Sequence, residues 1–293
     1  MDKIQLKAYG KINLGLDVLR KRSDGYHDLE MIMQSVGVYD DVFIEKIEEN
    51  KIVVKTDSLV LENEKGNLAY MAAKLLQDEF EIHQGVQITL YKRIPIAGGM
   101  AGGSADCAAT LKGINELFSL GLSQEELMER GVKLGADVPY CILGGTALAE
   151  GIGEKLTPLP NPPKASVIIA KPPISVSTAF VYGRIRPEQL GKHPDTKGIM
   201  EALEQKSLKQ LASLLFNVME TVTIPEYPII EEVKQFLLAE GALGAIMSGS
   251  GPTVFALFDS EEKARQAYER LESANLTEQL YLTEFVDRES YWK

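Results

Sequence analysis

The stretch IPIAGGMAGGSADCAATL, residues 94–111, decides the fold because it places two glycine pairs directly before a run with helical spacing. Ala108, Leu111 and Phe118 recur on one helix face, and Gly121 is suited to end that helix. Glycine lets a ligand approach backbone N–H groups, and the first turn of a helix favours an anion. The pattern therefore predicts an anion site, with phosphate as the first candidate.

The common glycine motifs do not fit this stretch. A Walker loop requires Gly-Lys-Ser/Thr, whereas Gly103 is followed by Ser104. A dinucleotide site requires a glycine two places after the first one, where Gly98 has Met100. The His-Arg-Asp and Asp-Phe-Gly triplets of protein kinases do not occur in the chain. A less common phosphate loop remains, or a tight turn packed against a strand.

Composition limits the class of protein. The 293 residues, 45% of them hydrophobic and 25% charged, suffice for one large domain or two of ordinary size. A formal net charge of -11 argues against nucleic-acid and anionic-membrane partners. The first ten residues have no apolar core and no apolar run reaches the ~18 residues of a membrane span, so we expect a cytoplasmic protein.

The cysteines and histidines give no metal pattern. Cys107 and Cys141 lie in apolar surroundings and are best explained as core thiols in a reducing compartment, with a disulfide as the minor alternative. His27, His83 and His193 are far apart in sequence. A zinc site of His and Cys ligands is therefore not expected.

Hydrophobic periodicity predicts a strand-rich start followed by mixed structure. Strands are expected through the first 60 residues, including VFIEKI at 42–47, and again for VQITLYKRI at 86–94. A helix over 67–80 would be capped by Asn67. Ser123 and Glu126 form a capping box for a second helix.

The proline-rich stretch LTPLPNPPKA, residues 156–165, should break any regular element. We place a domain boundary there, which gives domains of residues 1–160 and 161–293. In the second domain, GAIMSGSGPTVFALF at 244–258 predicts two strands around a glycine loop, followed by a helix and a strand. This order is typical of an α+β sandwich.

Three further stretches carry a family resemblance: GKINLGLDV at 10–18, KLGADVPYC at 133–141 and MSGSGPTVFAL at 247–257. Together with 94–111 they resemble the GHMP small-molecule kinases, which include galactokinase, homoserine kinase, mevalonate kinase and phosphomevalonate kinase, over nearly the whole chain. The resemblance implies a two-domain α+β fold. Its N-terminal α/β domain is of a type also found in ribosomal proteins, and its C-terminal domain is a ferredoxin-like α/β sandwich.

The resemblance also implies ATP and Mg²⁺ as cofactors. It assigns ATP binding to one loop, namely Pro95, Ile96, Ala97, Gly98, Gly99, Met100, Ala101, Gly102, Gly103, Ser104 and Ala105. In that loop the hydroxyl of Ser104 would meet phosphate or Mg²⁺, while Ala105 stands where relatives often have a second serine. The metal ligands stay open, with Asp137 as the one candidate.

Catalysis is assigned by the resemblance to Lys11 and Asp137. A carboxylate can take or orient the proton of an acceptor alcohol, and an ammonium can stabilise the charges. Without the resemblance, Asp137 would be interpreted as a turn or cap residue and Lys11 as an exposed strand lysine.

The stretch RSDGYHDLEMIMQSV, residues 22–36, resembles the branch of the superfamily whose acceptor carries cytidine diphosphate. The implied acceptor is the tertiary 2-hydroxyl of 4-diphosphocytidyl-2-C-methyl-D-erythritol, in the non-mevalonate (MEP) pathway of isoprenoid biosynthesis. The resemblance assigns the cytidine pocket to Tyr26 and His27, the surroundings of the diphosphate to Asn13, and the neighbourhood of the base to Thr178 and Tyr182.

Two alternatives stay open at this point. One is another GHMP kinase acting on mevalonate, phosphomevalonate or homoserine, against which Gly25-Tyr26-His27 weighs because those substrates have no cytosine. The other is a non-catalytic nucleotide-binding or RNA-associated module, against which the acidity of the chain and the presence of both Lys11 and Asp137 weigh. SGSGPT at 248–253 is either a motif packed against the phosphate loop or a hairpin turn. The expected oligomeric state is a monomer or a homodimer.

Overall fold

Two β-sheets organise the computed structural model, which describes residues 1–58 and 66–292. Its strands are β1 (Lys3–Lys21), β2 (His27–Ile47), β3 (Ile52–Thr56), β4 (Gly85–Tyr91), β5 (Thr146–Gly151), β6 (Lys155–Pro158), β7 (Ser166–Lys171), β8 (Phe216–Asn217), β9 (Gly244–Met247), β10 (Val254–Phe258) and β11 (Gln279–Glu284). The first sheet has the order β3-β4-β2-β1-β8, with β5 paired to β2 and β6 paired to β5. The second sheet is antiparallel, in the order β11-β7-β10-β9.

Helices cover these sheets. They are α1 (Leu68–Glu79), α2 (Gly102–Leu117), α3 (Gln124–Gly131), α4 (Val138–Leu143), α5 (Thr178–Arg184), α6 (Thr196–Glu204), α7 (Leu208–Ser213), α8 (Glu220–Glu226), α9 (Ile229–Ala239) and α10 (Glu261–Ser273). Short 3₁₀ turns lie at Pro187–Gln189 and Arg288–Ser290. Among the described residues, no helix is long and apolar enough to span a membrane.

Helix α2 is held close to the first sheet because its inner face is made of small residues. A Cβ on Gly113 would lie 2.5 Å from the side chain of Ile44 on β2, so only glycine allows this approach. Ala109, one turn before Gly113 on the same face, is buried as well. This packing fixes the position of the N-terminus of α2, which the glycine loop (residues 95–105) reaches from β4.

Several predictions from sequence are confirmed by the local contacts. The side chain of Asn67 accepts a hydrogen bond from the N–H of Ala69, and Ser123 and Glu126 form the predicted capping box. Cys107 and Cys141 are both buried free thiols. The β-strand, turn, β-strand, helix and β-strand order of the last 50 residues is present as β9, β10, α10 and β11.

Two expectations need correction. Strand β6 runs to Pro158, into the proline-rich stretch; it is an edge strand paired only with β5, and an edge strand accepts proline where a central strand would lose a hydrogen bond. Helix α2 begins at Gly102, so the second glycine pair forms its first turn and does not precede the helix.

The two halves of the chain are joined at the first sheet. Strand β8, although it comes from the second half, pairs in parallel with β1 at Gly15 and Leu16. On the other side, the N–H of Val286 donates to the carbonyl of Ser35 on β2 over 2.9 Å. The domain boundary near residue 160 stays a prediction.

Candidate active site

A cavity of about 450 Å³ lies where the glycine loop, β1, β2 and the second half of the chain meet. Lys11 and Met31 contribute from the first sheet, and Asp137 contributes from the loop before α4. Thr178 and Ser250 contribute from the second half. The cavity is large enough for a ligand of drug size and is bordered by both acidic and basic groups.

The glycine loop takes three left-handed backbone conformations in five residues. Ala97, Gly99 and Ala101 have φ of 50°, 75° and 59°. Two of these three positions are alanine, for which a positive φ is uncommon and typical of strained functional loops. The turns bring the loop onto the first turn of α2, whose N–H groups have no carbonyl partner within the helix.

Most of the predicted loop lines the cavity wall. The lining residues are Pro95, Ile96, Ala97, Gly98, Gly99, Ala101, Gly102, Gly103 and Ser104. Met100 and Ala105 are buried behind that wall, each about 1% exposed. The carbonyl of Met100 accepts a hydrogen bond of 3.1 Å from the N–H of Lys11, so this residue ties the loop to β1.

The second glycine stretch, 248–253, packs directly against the loop, as the family motif predicts. The hydroxyl of Ser248 donates to the carbonyl of Gly99 over 3.0 Å. A Cβ on Gly99 would lie 2.1 Å from the carbonyl oxygen of Ser248. The stretch is also the turn between the antiparallel strands β9 and β10, so it is both a motif packed against the loop and a hairpin turn.

Lys11 is a buried cation, not an exposed strand lysine. Its side chain is enclosed, and its ammonium donates to Oδ1 of Asn13 over 2.7 Å and to the carbonyl of Gly99 over 2.8 Å. Burial lowers the pKa of Lys11, while the nearby charge of Asp137 raises it. The glycine loop and the ammonium are therefore directly connected.

Asp137 occupies the residue before α4 but does not act as a cap. Within the described structure its carboxylate makes no capping hydrogen bond to the helix, and it lines the cavity. An aspartate in a cap position ordinarily accepts from the helix N–H groups. The carboxylate is thus left to face the cavity and the charge of Lys11.

The predicted substrate residues lie in four different places. Thr178 and Tyr182 line the cavity, and the Tyr182 ring stacks on His27 with centroids 5.3 Å apart. His27 is buried beside the wall, and burial, together with Lys21, lowers its pKa. Tyr26 lies in the turn and is 59% exposed.

Asn13 is completely buried behind Lys11. Its Oδ1 accepts from Lys11 and, over 3.1 Å, from the N–H of Gly249, and its amide nitrogen lies 3.5 Å from the sulfur of Met31. The side chain is engaged by protein groups and is not among those that line the cavity.

Sequence reasoning missed Lys92, which also lines the cavity. Its ammonium lies between the carboxylates of Asp40 and Asp106, and all three side chains are buried. Burial alone would lower the pKa of Lys92, but the two carboxylates raise it. The alternation of VQITLYKRI, which places position 92 on the same side as the core residues 86, 88 and 90, was the available signal.

The wall offers few groups to a divalent cation. Within residues 1–58 and 66–292, no cluster of three or more His, Cys, Asp or Glu side chains could hold a metal ion. A Cβ on Gly135 would lie 3.8 Å from the hydroxyl oxygen of Ser104, which places that hydroxyl close to the segment that carries Asp137. Since Mg²⁺ in nucleotide sites takes one or two protein ligands plus phosphates and water, a hydroxyl and a carboxylate fit it.

Family models match both halves of the chain. The GHMP kinases N terminal domain matches residues 67–145, and the GHMP kinases C terminal domain matches residues 199–277. The chain belongs to the GHMP kinase family. It is therefore a kinase of the ATP-dependent type, and the predicted α+β GHMP fold is confirmed.

Relatives of this GHMP kinase carry a more specific name. The 4-diphosphocytidyl-2-C-methyl-D-erythritol kinase of Lachnoclostridium phytofermentans is 53% identical over 98% of this chain and 99% of its own. That of Caldicellulosiruptor bescii is 49% identical over 92% of this chain and 94% of its own.

A crystal structure of 4-(cytidine 5'-diphospho)-2C-methyl-D-erythritol kinase is 32% identical, with a TM-score of 0.82 over 96% of this chain and 99% of that one. The homoserine kinase of Cytophaga hutchinsonii has the same fold at a TM-score of 0.77 and only 22% identity, over 97% of this chain and 95% of that one.

Proposed function

We propose that this GHMP kinase transfers the γ-phosphoryl group of ATP to the tertiary 2-hydroxyl of 4-diphosphocytidyl-2-C-methyl-D-erythritol, which gives ADP and the 2-phosphate. The observation that carries the proposal is one cavity in which the glycine loop meets Lys11, Asp137 and the aromatic residue Tyr182. Full-length relatives named for this activity support the choice of acceptor.

The loop 95–105 would hold the phosphates of ATP. Its backbone N–H groups and the first turn of α2 provide an anion site without a Walker lysine. The buried ammonium of Lys11, hydrogen-bonded to the carbonyl of Gly99, adds positive charge beside the loop. Phosphoryl transfer depends mainly on such positioning and electrostatic stabilisation.

Asp137 would accept or orient the proton of the acceptor hydroxyl. Its carboxylate lines the cavity near the positive charge of Lys11, which acts on it as an opposite charge. Lys11 would place its positive charge beside this carboxylate and would stabilise the hydroxyl oxygen as it attacks. Mg²⁺, for which Ser104 and Asp137 are the candidate protein ligands, would supply charge neutralisation of the phosphates when bound.

The cytidine end would lie beside the stacked rings of His27 and Tyr182, because an aromatic face supports a nucleobase by stacking. Thr178, whose hydroxyl lies 2.9 Å from that of Ser250, would contact the same end. Tyr26, on the exposed turn, would close over the base. Asn13 would contribute by holding the ammonium of Lys11 through its hydrogen bond. We further propose a cytoplasmic enzyme without a nucleic-acid partner, in accord with its net charge of -11.

The test is a coupled ADP-release assay with ATP, Mg²⁺ and 4-diphosphocytidyl-2-C-methyl-D-erythritol, run beside mevalonate, phosphomevalonate and homoserine. We expect release only with the cytidyl alcohol, reduced about 10²- to 10⁴-fold in Asp137→Ala. Release with another alcohol would overturn the acceptor. ATP binding without transfer to any acceptor would favour the non-catalytic alternative.

A further inference from the structure

Asn217, on the two-residue strand β8, is a buried polar side chain that the assigned site residues do not include. Its amide donates to the carbonyls of Met247 and Gly249, each over 2.8 Å, and its Oδ1 accepts from the N–H of Met219 over 2.9 Å. The residue is 3% exposed. A buried amide that makes all three of these hydrogen bonds fixes the backbone that it contacts.

The backbone that it fixes is Gly249, on the wall of the cavity. Asn217 holds the carbonyl of this residue, and Asn13 accepts from its N–H over 3.1 Å. Gly249 has a left-handed φ of 56°, and a Cβ there would lie 2.9 Å from the carbonyl oxygen of Gly99 and 3.3 Å from the ammonium of Lys11. Any shift of Gly249 would therefore displace both the glycine loop and the ammonium of Lys11.

The hydrogen bonds continue without a break to the ammonium. Asn13 uses the same Oδ1 for Gly249 and for Lys11, and Lys11 reaches on to the carbonyl of Gly99. One chain of contacts thus joins β8, the second glycine stretch, β1 and the phosphate loop.

Strand β8 is itself anchored on the strand that carries Lys11. Asn217 pairs with Leu16 of β1, and the N–H of Val218 donates to the carbonyl of Leu16 over 3.1 Å. At the start of α8, Glu220 accepts from the N–H of Met247 over 2.9 Å. The second glycine stretch is therefore held by residues 217–220, a segment that is itself hydrogen-bonded to β1.

We propose that Asn217 is a positioning residue: by holding Gly249 it sets the orientation of Asn13 and, through it, of the Lys11 ammonium against the phosphate loop. The inference rests on the proposed function, since it assigns to Lys11 a role in the transfer. Displacement of a catalytic group by about 1 Å can cost about 10²-fold in rate.

The first test compares Asn217→Ala with Asn115→Ala. Asn115 makes the same kind of double contact, to the N–H and carbonyl of Leu122, but lies at the far end of α2 from the loop. We expect kcat to fall about 10- to 100-fold in Asn217→Ala, with a smaller change in KM for the alcohol, and to stay near the wild-type value in Asn115→Ala. Equal kcat in the two variants would overturn the proposal.

A double-mutant cycle on kcat separates positioning from a general loss of stability. If Asn217 acts through Asn13, the double variant Asn13→Ala/Asn217→Ala should be about as slow as the slower single variant. Additive effects would overturn the proposal. Asn217→Asp, which keeps the size and the acceptor but cannot donate to the two carbonyls, serves if the alanine variant does not fold.

A readout without turnover keeps the inference separate from the proposed function. We expect the ¹³Cε signal of Lys11, identified by its loss in Lys11→Arg, to titrate at lower pH in Asn217→Ala. Burial lowers the pKa of Lys11, and a loosened Asn13 offsets that burial less, while Asp137 and Cys141 still raise the pKa. An unchanged titration would contradict the positioning role even in an enzyme with another acceptor. Inactivity of the wild type with the cytidyl alcohol, with the titration shifted as expected, would contradict only the proposed function.

Discussion

The buried charges Lys11 and Lys92 set the chemistry of the cavity at the scale of single residues. Each reaches the cavity wall from the interior, and each is matched by fixed acceptors, since Lys11 has an amide and a carbonyl and Lys92 has two carboxylates. Burial of a charge is costly unless it is paired and hydrogen-bonded. Lys11 therefore provides a positive charge beside the glycine loop, whereas the charge of Lys92 is matched by Asp40 and Asp106.

The titration of Lys11 predicts an alkaline limit to activity. Burial is the largest influence and lowers its pKa below the ordinary 10.5, so the ammonium loses its proton earlier than a surface lysine does. We expect kcat/KM to fall on the alkaline side at a pH below about 10.5. Lys11→Arg stays charged, so its residual activity should not show this limb. An alkaline decline of kcat/KM at the same pH in the wild type and in Lys11→Arg would contradict the assignment of this decline to Lys11.

The titration of Asp106 predicts a pH dependence of stability. Burial raises the pKa of Asp106 to about 7, Lys92 opposes this, and Asp40 adds to it. The folded protein then keeps a proton that the unfolded chain releases near pH 4, so the free energy of unfolding should decline as pH rises from about 4 to about 7. Urea unfolding of the wild type and of Asp106→Asn should give a flatter curve for the variant. Parallel curves would refute the shift.

At the scale of elements, the glycine loop and α2 work as one unit. The strand β4 ends at Tyr91, the loop turns through three left-handed residues, and α2 starts at Gly102. The sequence predicted this order from glycine spacing and helical periodicity. It could not predict that Ala97 and Ala101 adopt positive φ, because that conformation is imposed by contacts with distant segments and not by the residues themselves.

Substitution of Gly99 tests this unit. An alanine at this position would have a strained φ of +75° and a Cβ 2.1 Å from the carbonyl oxygen of Ser248. We expect Gly99→Ala to lose about 1–3 kcal/mol of stability and to raise KM for ATP. Gly183→Ala is the control, because a Cβ on this residue of α5 would meet no atom within 4 Å, and alanine should stabilise the helix by up to about 1 kcal/mol. Thermal unfolding measures the stability of the two variants, and initial rates measure their KM for ATP.

Contacts over long sequence separations limited what could be predicted of the site. Glycine motifs and one family resemblance located the loop, Lys11 and Asp137, which the cavity brings together. Lys92 and Asn217 were missed because their partners are distant in sequence; Asp40 is 52 positions from Lys92, and Gly249 is 32 positions from Asn217. A polar residue inside an apolar pattern is a weak signal unless its partner is known.

At the scale of the whole molecule, the cavity depends on the two halves being joined. The hydroxyl of Tyr281 on β11 donates to the carbonyl of Arg93, at the entrance to the glycine loop, over 2.6 Å. Val36 on β2 forms a bridge with Phe285 just after β11, and β8 inserts beside β1. The second half of the chain is therefore attached to the first half at three places, namely the entrance to the glycine loop, β2 and β1.

This joining predicts cooperative unfolding. Tyr281→Phe removes one hydrogen bond between the halves, and we expect a loss of about 0.5–1.5 kcal/mol within a single unfolding transition. Tyr268→Phe is the matched control, since its hydroxyl contacts the carbonyl of Leu280 over 3.5 Å and the side chain of Glu272, both inside the second half, so the variant should leave the joining of the two halves unchanged. Two separate transitions in calorimetry of the wild type would contradict the coupling.

The most direct test of the central claim is the position of the new phosphate. The 2-carbon of the acceptor bears a methyl group and no hydrogen, so a phosphate on its oxygen has no carbinol proton three bonds away. Proton-coupled ³¹P spectra of wild-type protein with ATP, Mg²⁺ and 4-diphosphocytidyl-2-C-methyl-D-erythritol should therefore give ADP and one unsplit phosphomonoester signal, formed far more slowly by Asp137→Ala. A phosphomonoester signal split by a carbinol proton, or ADP with free phosphate alone, would contradict the account.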